Sequence, residues 1–141
     1  EQYGVSADIW SATSYKLLRT DAIRTQRWNM LHPTLPAKKN YLESLLSKEQ
    51  GGLVAVSDNI STVPDQIEPW VPGGLLTLGT DGFGRSDTRG RLRRFFGVDV
   101  ESTVIGTLHA LAEKKLIDRK VVAQAIKDLG VDPEMVQPQI V

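Results

Sequence analysis

One glycine-rich segment carries residue types that often bind or position a ligand. Residues 79–87 read Gly-Thr-Asp-Gly-Phe-Gly-Arg-Ser-Asp and stand between an apolar run and a helical pattern. A loop that leaves a strand and enters a helix presents free backbone N–H groups and the positive end of the helix dipole, which suits a phosphate. The candidate functional residues here are Asp81, Gly82, Phe83, Gly84, Arg85, Ser86, Asp87 and Arg89.

The spacing of these residues matches no common phosphate or metal motif. The glycines do not follow the G-x-G-x-x-G order, there is no G-K-[ST] sequence, and the two aspartates of the loop disfavour an anion. A calcium loop starting at Asp81 would need oxygen ligands where Phe83 and Arg85 stand, and a glutamate where Leu92 stands. The Asp-Gly-Phe-Gly string lacks the companion motifs of the kinase magnesium site.

A structural role is the favoured interpretation of the loop, and ligand binding stays open as the alternative. Its glycines permit a tight turn, and Phe83 is expected to fill the core. Ser86 or the aspartate after it can cap the following helix, and Asp81 can form an ion pair with Arg85 or Arg89. We therefore predict a loop whose side chains hold the local fold together.

The two histidines and an arginine cluster carry weaker signals. His32 is a weak functional candidate, for which anchoring of the backbone is the favoured role, and His109 is expected to be solvated. No third ligand or orienting acid stands at the spacing of a metal site or a catalytic triad. The cluster of Arg91, Arg93 and Arg94 is interpreted as a solvated helix face.

Composition narrows the classes of function. The chain has 141 residues, which predicts one domain, and its 17 Lys and Arg balance 17 Asp and Glu. Without a net positive charge or an apolar run near the ~20 residues of a membrane span, we expect no nucleic-acid or membrane partner. The absence of cysteine excludes thiol catalysis and fits a reducing, cytoplasmic compartment. The first residues resemble the interior of a longer chain, with no initiator Met and no signal peptide.

The first half of the chain contains three predicted elements. Residues 5–13 alternate in polarity and predict a strand, after which Ser14 can cap a short helix through Leu17 and Leu18. Prolines at 33 and 36 then predict irregular chain. An amphipathic helix begins at Tyr41 and ends near a glycine pair at 51 and 52.

The second half of the chain predicts the elements that flank the loop. Two short apolar runs, at 53–56 and 75–78, predict buried strands, and residues 63–70 between them predict a helix with proline in its first turn. After the loop, helical patterns follow around Leu92 and Leu108 and from the N-cap Asp118. Strands that alternate with helices predict an α/β fold with a mainly parallel sheet and helices on both faces.

Three segments together resemble a known family. They are Arg-Trp-Asn-Met-Leu-His-Pro at 27–33, Trp-Val-Pro at 70–72 and Leu-Gly-Thr-Asp-Gly-Phe-Gly-Arg-Ser-Asp-Thr-Arg at 78–89. They closely resemble the carboxy-terminal domain of the first component of the pyruvate dehydrogenase complex, of the bacterial homodimeric type, in the transketolase superfamily. The resemblance covers essentially the whole chain, and residues 117–126 also look like the last helix of that family. Transketolase itself shares only a Phe-Gly-x-Ser turn and is the weaker match.

The resemblance implies a three-layer α/β/α domain with a mixed, mostly parallel sheet, at residues 1–141 of this sequence. It implies a larger multidomain enzyme that decarboxylates pyruvate with thiamin diphosphate and magnesium and links glycolysis to acetyl-CoA. The cofactor-binding and catalytic residues of that family lie upstream, so no catalytic, cofactor-binding or metal-binding residue is expected within this sequence. The implied partners are the upstream domains, a second copy in a homodimer, and the dihydrolipoyl acetyltransferase that receives the acetyl group.

One departure from the family concerns the amino end. The family domain begins earlier, with a strand and a helix that precede Tyr3. We expect their absence to leave a sheet edge and an apolar face uncovered, to be covered by another chain or by a second copy. The sequence thus predicts a non-catalytic structural and dimerisation domain, inactive on its own. The alternative is a stand-alone module that binds a phosphate-containing regulator, or docks a partner, through residues 81–87.

Overall fold

The computed structural model describes residues 2–138, which form six α-helices, one 3₁₀ helix and two short strands. Helices and strands alternate through the middle of the chain, and three helices close it. In chain order the elements are α1 (Tyr15–Leu31), α2 (Tyr41–Leu46), β1 (Val54–Val56), α3 (Thr62–Asp65), the 3₁₀ helix (Glu68–Trp70), β2 (Leu76–Leu78), α4 (Arg89–Phe96), α5 (Val100–Glu113) and α6 (Arg119–Asp128).

The two strands pair in parallel, as predicted for the two apolar runs. Val54 lies opposite Leu76, and Val56 lies opposite Leu78. Since a parallel pair requires a crossover connection, residues 57–75, which include α3 and the 3₁₀ helix, carry the chain from one strand to the next. The α/β class is confirmed, whereas the three-layer arrangement and the mixed sheet stay predictions, because the described residues contain only this pair.

Helix α1 is longer than the short helix predicted after Ser14. Ser14 is the N-cap, as predicted, and its Oγ accepts a hydrogen bond from the Leu17 N–H at 3.3 Å. The helix continues to Leu31 and ends at His32, directly before Pro33. The prolines therefore terminate a regular helix, because proline disfavours helical backbone at the residue before it.

The crossover between the strands differs from the single helix predicted over 63–70. It divides into α3 and the 3₁₀ helix, and Gln66 is the C-cap of α3. Pro69 has no backbone N–H to donate to the carbonyl four residues earlier, so a continuous α-helix cannot pass through it. Helix α2 begins at Tyr41, as predicted, but it ends at Leu46, before the predicted end near the glycine pair at 51 and 52. The three helices predicted after the loop form at their predicted places.

The strand predicted over 5–13 is wrong. This segment has no strand partner within the described chain, and Ile9 is 98% exposed. A groove lined by residues 5–10 and by Val54 and Val56 separates the segment from β1. Alternating polarity makes a segment suitable for a sheet, but a strand forms only where its backbone groups meet a neighbouring strand.

Two packing regions hold the described chain together. In the first, α1, α2 and the crossover meet around the buried side chains of Leu42, Ile67 and Val71. In the second, α5 packs on both strands, and the absence of a side chain at Gly106 lets Leu76 and Leu78 approach its backbone. Helix α6 in turn packs on α5. None of the helices within residues 2–138 has the length and apolar composition needed to cross a membrane.

Candidate functional site

The base of the glycine-rich loop is fixed to the turn that follows β1. The Thr80 N–H donates to the Asn59 carbonyl at 2.9 Å, and the Thr80 hydroxyl donates to the Asp58 carbonyl at 2.8 Å. A side chain at position 79 would place its Cβ only 2.4 Å from the Ser61 nitrogen, so the backbones approach as closely as glycine allows. The first residues of the loop, directly after β2, are therefore held against the turn that follows β1.

Asp81 belongs to this anchored base. Its Oδ1 accepts a hydrogen bond from the Ser61 backbone N–H at 2.9 Å. The ion pairs predicted with Arg85 or Arg89 are not among those formed within residues 2–138. Because the carboxylate bonds a backbone N–H on the neighbouring turn, it links the two loops that follow the strands.

The tip of the loop faces solvent. Gly82 has a φ of 99°, which confirms the predicted tight turn, and every residue from 82 to 90 is exposed. The prediction that Phe83 fills the core is wrong, since its side chain is 82% exposed. Because Phe83 lies within this exposed run of residues, its ring does not contribute to the buried core.

Two arginines, Arg85 and Arg89, belong to this exposed segment. The Arg85 guanidinium carbon lies 4.3 Å from the centroid of the Phe95 ring, in a cation–π contact. Among residues 2–138, no carboxylate lies within ion-pair distance of Arg85 or of Arg89. The exposed segment at residues 82–90 thus contains one phenylalanine and two arginines, Arg85 and Arg89, whose positive charge is not matched by a carboxylate within ion-pair distance among residues 2–138.

The predicted capping of α4 by Ser86 or Asp87 is wrong. Thr88 occupies the N-cap position, and no side chain makes the capping hydrogen bond. Asp87 lies one residue too early, so its Oδ1 accepts from the adjacent Thr88 N–H at 2.7 Å, and it also lies 3.8 Å from Arg91 Nη1. The start of α4 consequently keeps backbone N–H groups without a side-chain cap.

An open cleft of about 500 Å³ lies beside the loop tip. Asp58, at its rim, lies 3.5 Å from Arg93 Nη2, and Asp87 lies opposite Arg91, as given above. The two acidic side chains that line the cleft are therefore each matched by an arginine. The loop aspartates therefore disfavour an anion less than their sequence suggests. Asp81 accepts a hydrogen bond at the base of the loop, and the negative charges of Asp58 and Asp87 lie opposite arginines.

The residues of the cleft come from both strand ends and from α4. The cleft includes residues that were already named from the sequence: Gly82, Gly84, Arg85, Asp87, Arg89, Leu92 and Arg93. Asp58 was missed, although a signal existed. The carboxyl ends of neighbouring parallel strands meet at one edge of a sheet, so the residues after β1 and after β2 could have been predicted to lie together.

The two histidines lie apart from this cleft. His32 Nδ1 donates to the Trp28 carbonyl at 2.8 Å, and its ring stacks on the Trp28 ring with centroids 4.3 Å apart. Lys38 Nζ lies 3.7 Å from the centroid of the same indole ring. These contacts confirm backbone anchoring for His32, and its functional role stays a prediction. His109 is exposed, as predicted.

The described residues show no cluster of side chains that could hold a magnesium ion. Within residues 2–138, no group of three or more His, Asp or Glu side chains could hold a metal ion. Asp58 and Asp87 lie opposite arginines, and Asp81 accepts a hydrogen bond from a backbone N–H, whereas magnesium is bound through carboxylate oxygens and water. No step of a cofactor-dependent reaction is assigned to these residues.

Known proteins provide an independent comparison. The family described as the transketolase-like TK C-terminal domain matches residues 1–99. The chain is 44% identical over 137 residues to the pyruvate dehydrogenase E1 component of Pseudomonas aeruginosa, covering 96% of this chain and 16% of that relative. It is 43% identical over 138 residues to the corresponding protein of Mycobacterium tuberculosis (98% of this chain, 15% of the relative). For that of Escherichia coli, identity is 38% over 141 residues (99% and 16%).

Proposed function

Because the chain belongs to the family of transketolase-like TK C-terminal domains, we propose that it is the carboxy-terminal domain of a larger pyruvate dehydrogenase component. The observation that carries this proposal is similarity to pyruvate dehydrogenase E1 components along almost the entire chain. The chain spans only about a sixth of the length of these relatives. Residues 1–141 are therefore proposed to be one domain of a longer polypeptide.

The proposed activity of that longer polypeptide is oxidative decarboxylation of pyruvate, followed by acetyl transfer to a lipoyl group. Thiamin diphosphate, with magnesium, would stabilise the carbanion formed as carbon dioxide leaves. Its site is proposed to lie elsewhere in the polypeptide, which is supported by the absence, among residues 2–138, of a side-chain cluster that could hold the magnesium ion. The proposed partners are the upstream domains, a second copy in a homodimer and dihydrolipoyl acetyltransferase, and the proposed compartment is the cytoplasm.

The proposed contribution of this segment is packing and dimerisation. Trp10, Leu17 and Tyr41 are 52%, 69% and 58% exposed, and they line one apolar groove with the buried side chain of Leu42. Contiguous apolar surface of this kind is typical of an interface, because its removal from water is favourable. These exposed side chains support the proposal that another part of the enzyme covers the groove.

Truncation tests the proposed structural role. The longer polypeptide is compared with a version that lacks this segment and with the isolated 141-residue chain. We expect only the longer polypeptide to decarboxylate pyruvate, in a manner that requires thiamin diphosphate and magnesium. We also expect loss of the segment to weaken the dimer in sedimentation measurements. Decarboxylation by the isolated chain, or a truncated enzyme with its dimer and activity unchanged, would contradict the proposal.

A further inference from the structure

The exposed tip of the glycine-rich loop has the composition of a docking surface. Phe83 is 82% exposed, and the guanidinium groups of Arg85 and Arg89 lie without a carboxylate partner among residues 2–138. Aromatic residues and arginine are the side chains most enriched at the energetic centres of protein interfaces. Phe83, Arg85 and Arg89 belong to one exposed segment, residues 82–90, which therefore offers both apolar area and positive charge to a partner.

The base below the tip makes this surface preorganised. Thr80 and Asp81 are hydrogen-bonded to the turn after β1, as described above, and Gly79 contacts the same turn closely. The Arg85 guanidinium is held against the Phe95 ring, which fixes its direction. A surface that is already ordered loses less conformational entropy when a partner binds.

The charge of the loop tip indicates that its partner is acidic. The acidic groups that line the cleft, Asp58 and Asp87, already lie opposite Arg93 and Arg91. The remaining charge at the rim is therefore positive, and the open cleft of about 500 Å³ has room for an added carboxylate side chain. An aspartate or glutamate can bind a guanidinium group in a bidentate geometry.

We propose that Phe83, Arg85 and Arg89 dock an acidic surface on the remaining part of the same longer polypeptide. The inference rests on the proposed function, since relatives about six times as long as this chain have further domains to supply such a surface. The surface would hold this domain against the rest of the enzyme. A second copy of the chain and inorganic phosphate are the competing occupants.

Photo-crosslinking in the full-length polypeptide tests this contact. p-Benzoylphenylalanine is placed at the exposed position of Ser86, between the arginines, and at the exposed position of Leu116 as a matched control. Dimers are assembled from isotope-labelled and unlabelled copies, so that mass spectrometry separates crosslinks within one polypeptide from those between copies. We expect position 86, and not position 116, to crosslink within the polypeptide to an acidic segment that precedes this domain.

Charge reversal provides the second readout. Arg85→Glu with Arg89→Glu is expected to lower the crosslink yield at position 86 roughly tenfold, because like charges then face each other. Phe83→Ala is expected to lower it as well, and Lys120→Glu, an exposed change on α6, is expected to leave it unchanged. All four replaced side chains are exposed, and circular dichroism verifies that the variants fold.

The outcomes separate this inference from the proposed function. Crosslinks only between copies, no crosslinks in a long and active enzyme, or a yield insensitive to charge reversal would each overturn the docking surface and leave the proposed function standing. The docking surface would also be overturned if added inorganic phosphate abolished the crosslink at position 86 and no acidic peptide were found attached at that position. A native polypeptide of only this length would overturn the proposed function and the docking surface with it.

Discussion

At the scale of single residues, the two aspartates of the glycine-rich loop have different roles despite their similar sequence context. Asp81 accepts a hydrogen bond from the Ser61 backbone N–H and so connects two turns. Asp87 is exposed and lies 3.8 Å from Arg91, one helical turn away. A hydrogen bond between a charged group and a backbone N–H is worth more than an exposed ion pair, since water and salt screen the latter.

This difference predicts unequal effects of removing the two carboxylates. Asp81→Ala is expected to lower the free energy of unfolding by about 1.5–3 kcal/mol, because the Ser61 N–H loses its acceptor. Asp87→Ala is the matched control and is expected to lower it by roughly 0.5 kcal/mol or less. Urea denaturation of both variants measures the difference. Equal losses would show that the Asp81 contact does not hold the loop.

The positive φ at Gly82 gives a second prediction at this scale. Gly82→Val is expected to destabilise the domain by roughly 1–3 kcal/mol, because a β-branched residue is strained at a φ of 99°. Gly84→Val is the control, since a Cβ there meets no atom within 4 Å and its φ lies outside the left-handed range. A Gly82 variant with wild-type stability that fails to bind a ligand would refute the structural role.

The conformation of an individual residue could be predicted from the sequence only where neighbouring residues determine it. The turn at Gly82 and the cap at Ser14 depend on neighbouring residues, and both predictions are confirmed. The positions of Phe83 and Asp81 depend on which distant segment lies nearby. Local sequence contains no information on that, so the predicted core position of Phe83 was wrong.

At the scale of elements, close backbone contacts position α5 against the strands that support the loop. A Cβ on Gly52 would lie 2.6 Å from the Cβ of Ala110 and 3.0 Å from its carbonyl carbon. A Cβ on Gly106 would lie 3.3 Å from Leu76 Cδ2 and 3.3 Å from Leu78 Cδ1. Such contacts leave no space for additional atoms, because protein interiors are already close-packed.

Two glycine-to-alanine changes should therefore have opposite effects. Gly52→Ala is expected to lower the free energy of unfolding by about 1–3 kcal/mol, because the added methyl must displace α5. Gly90→Ala, on the exposed face of α4 with no atom within 4 Å, is expected to raise it by roughly 0.5 kcal/mol, because alanine favours helix. Thermal unfolding checks both signs. Stabilisation by Gly52→Ala would contradict the packing of α5.

The sequence predicted the type of most elements and failed where tertiary contacts or proline determined the result. The parallel strands, the start of α2 and the last three helices follow from local patterning, and their places are confirmed. Pro69 divided the helix predicted over 63–70. Residues 5–13 have the pattern of a strand and remain unpaired in the described chain, because pairing requires a neighbour that pattern alone does not supply.

At the scale of the whole molecule, exposed apolar surface is the feature that the proposed function explains. Ile9, Trp10, Leu17 and Tyr41 are each more than half exposed, and so is Phe83 in the glycine-rich loop. The chain also spans about a sixth of the length of its pyruvate dehydrogenase relatives. Both observations are consistent with a domain whose surfaces are covered by the rest of an enzyme.

The most direct test of this account is the mass and activity of the native polypeptide, captured from its source cells with an antibody against this segment. We predict a chain several times longer than 141 residues. The purified protein should decarboxylate pyruvate only when thiamin diphosphate and magnesium are both present. A native chain of about 141 residues, or a long chain without this activity, would contradict the account, and a short chain would make residues 81–87 the first candidate for an independent binding function.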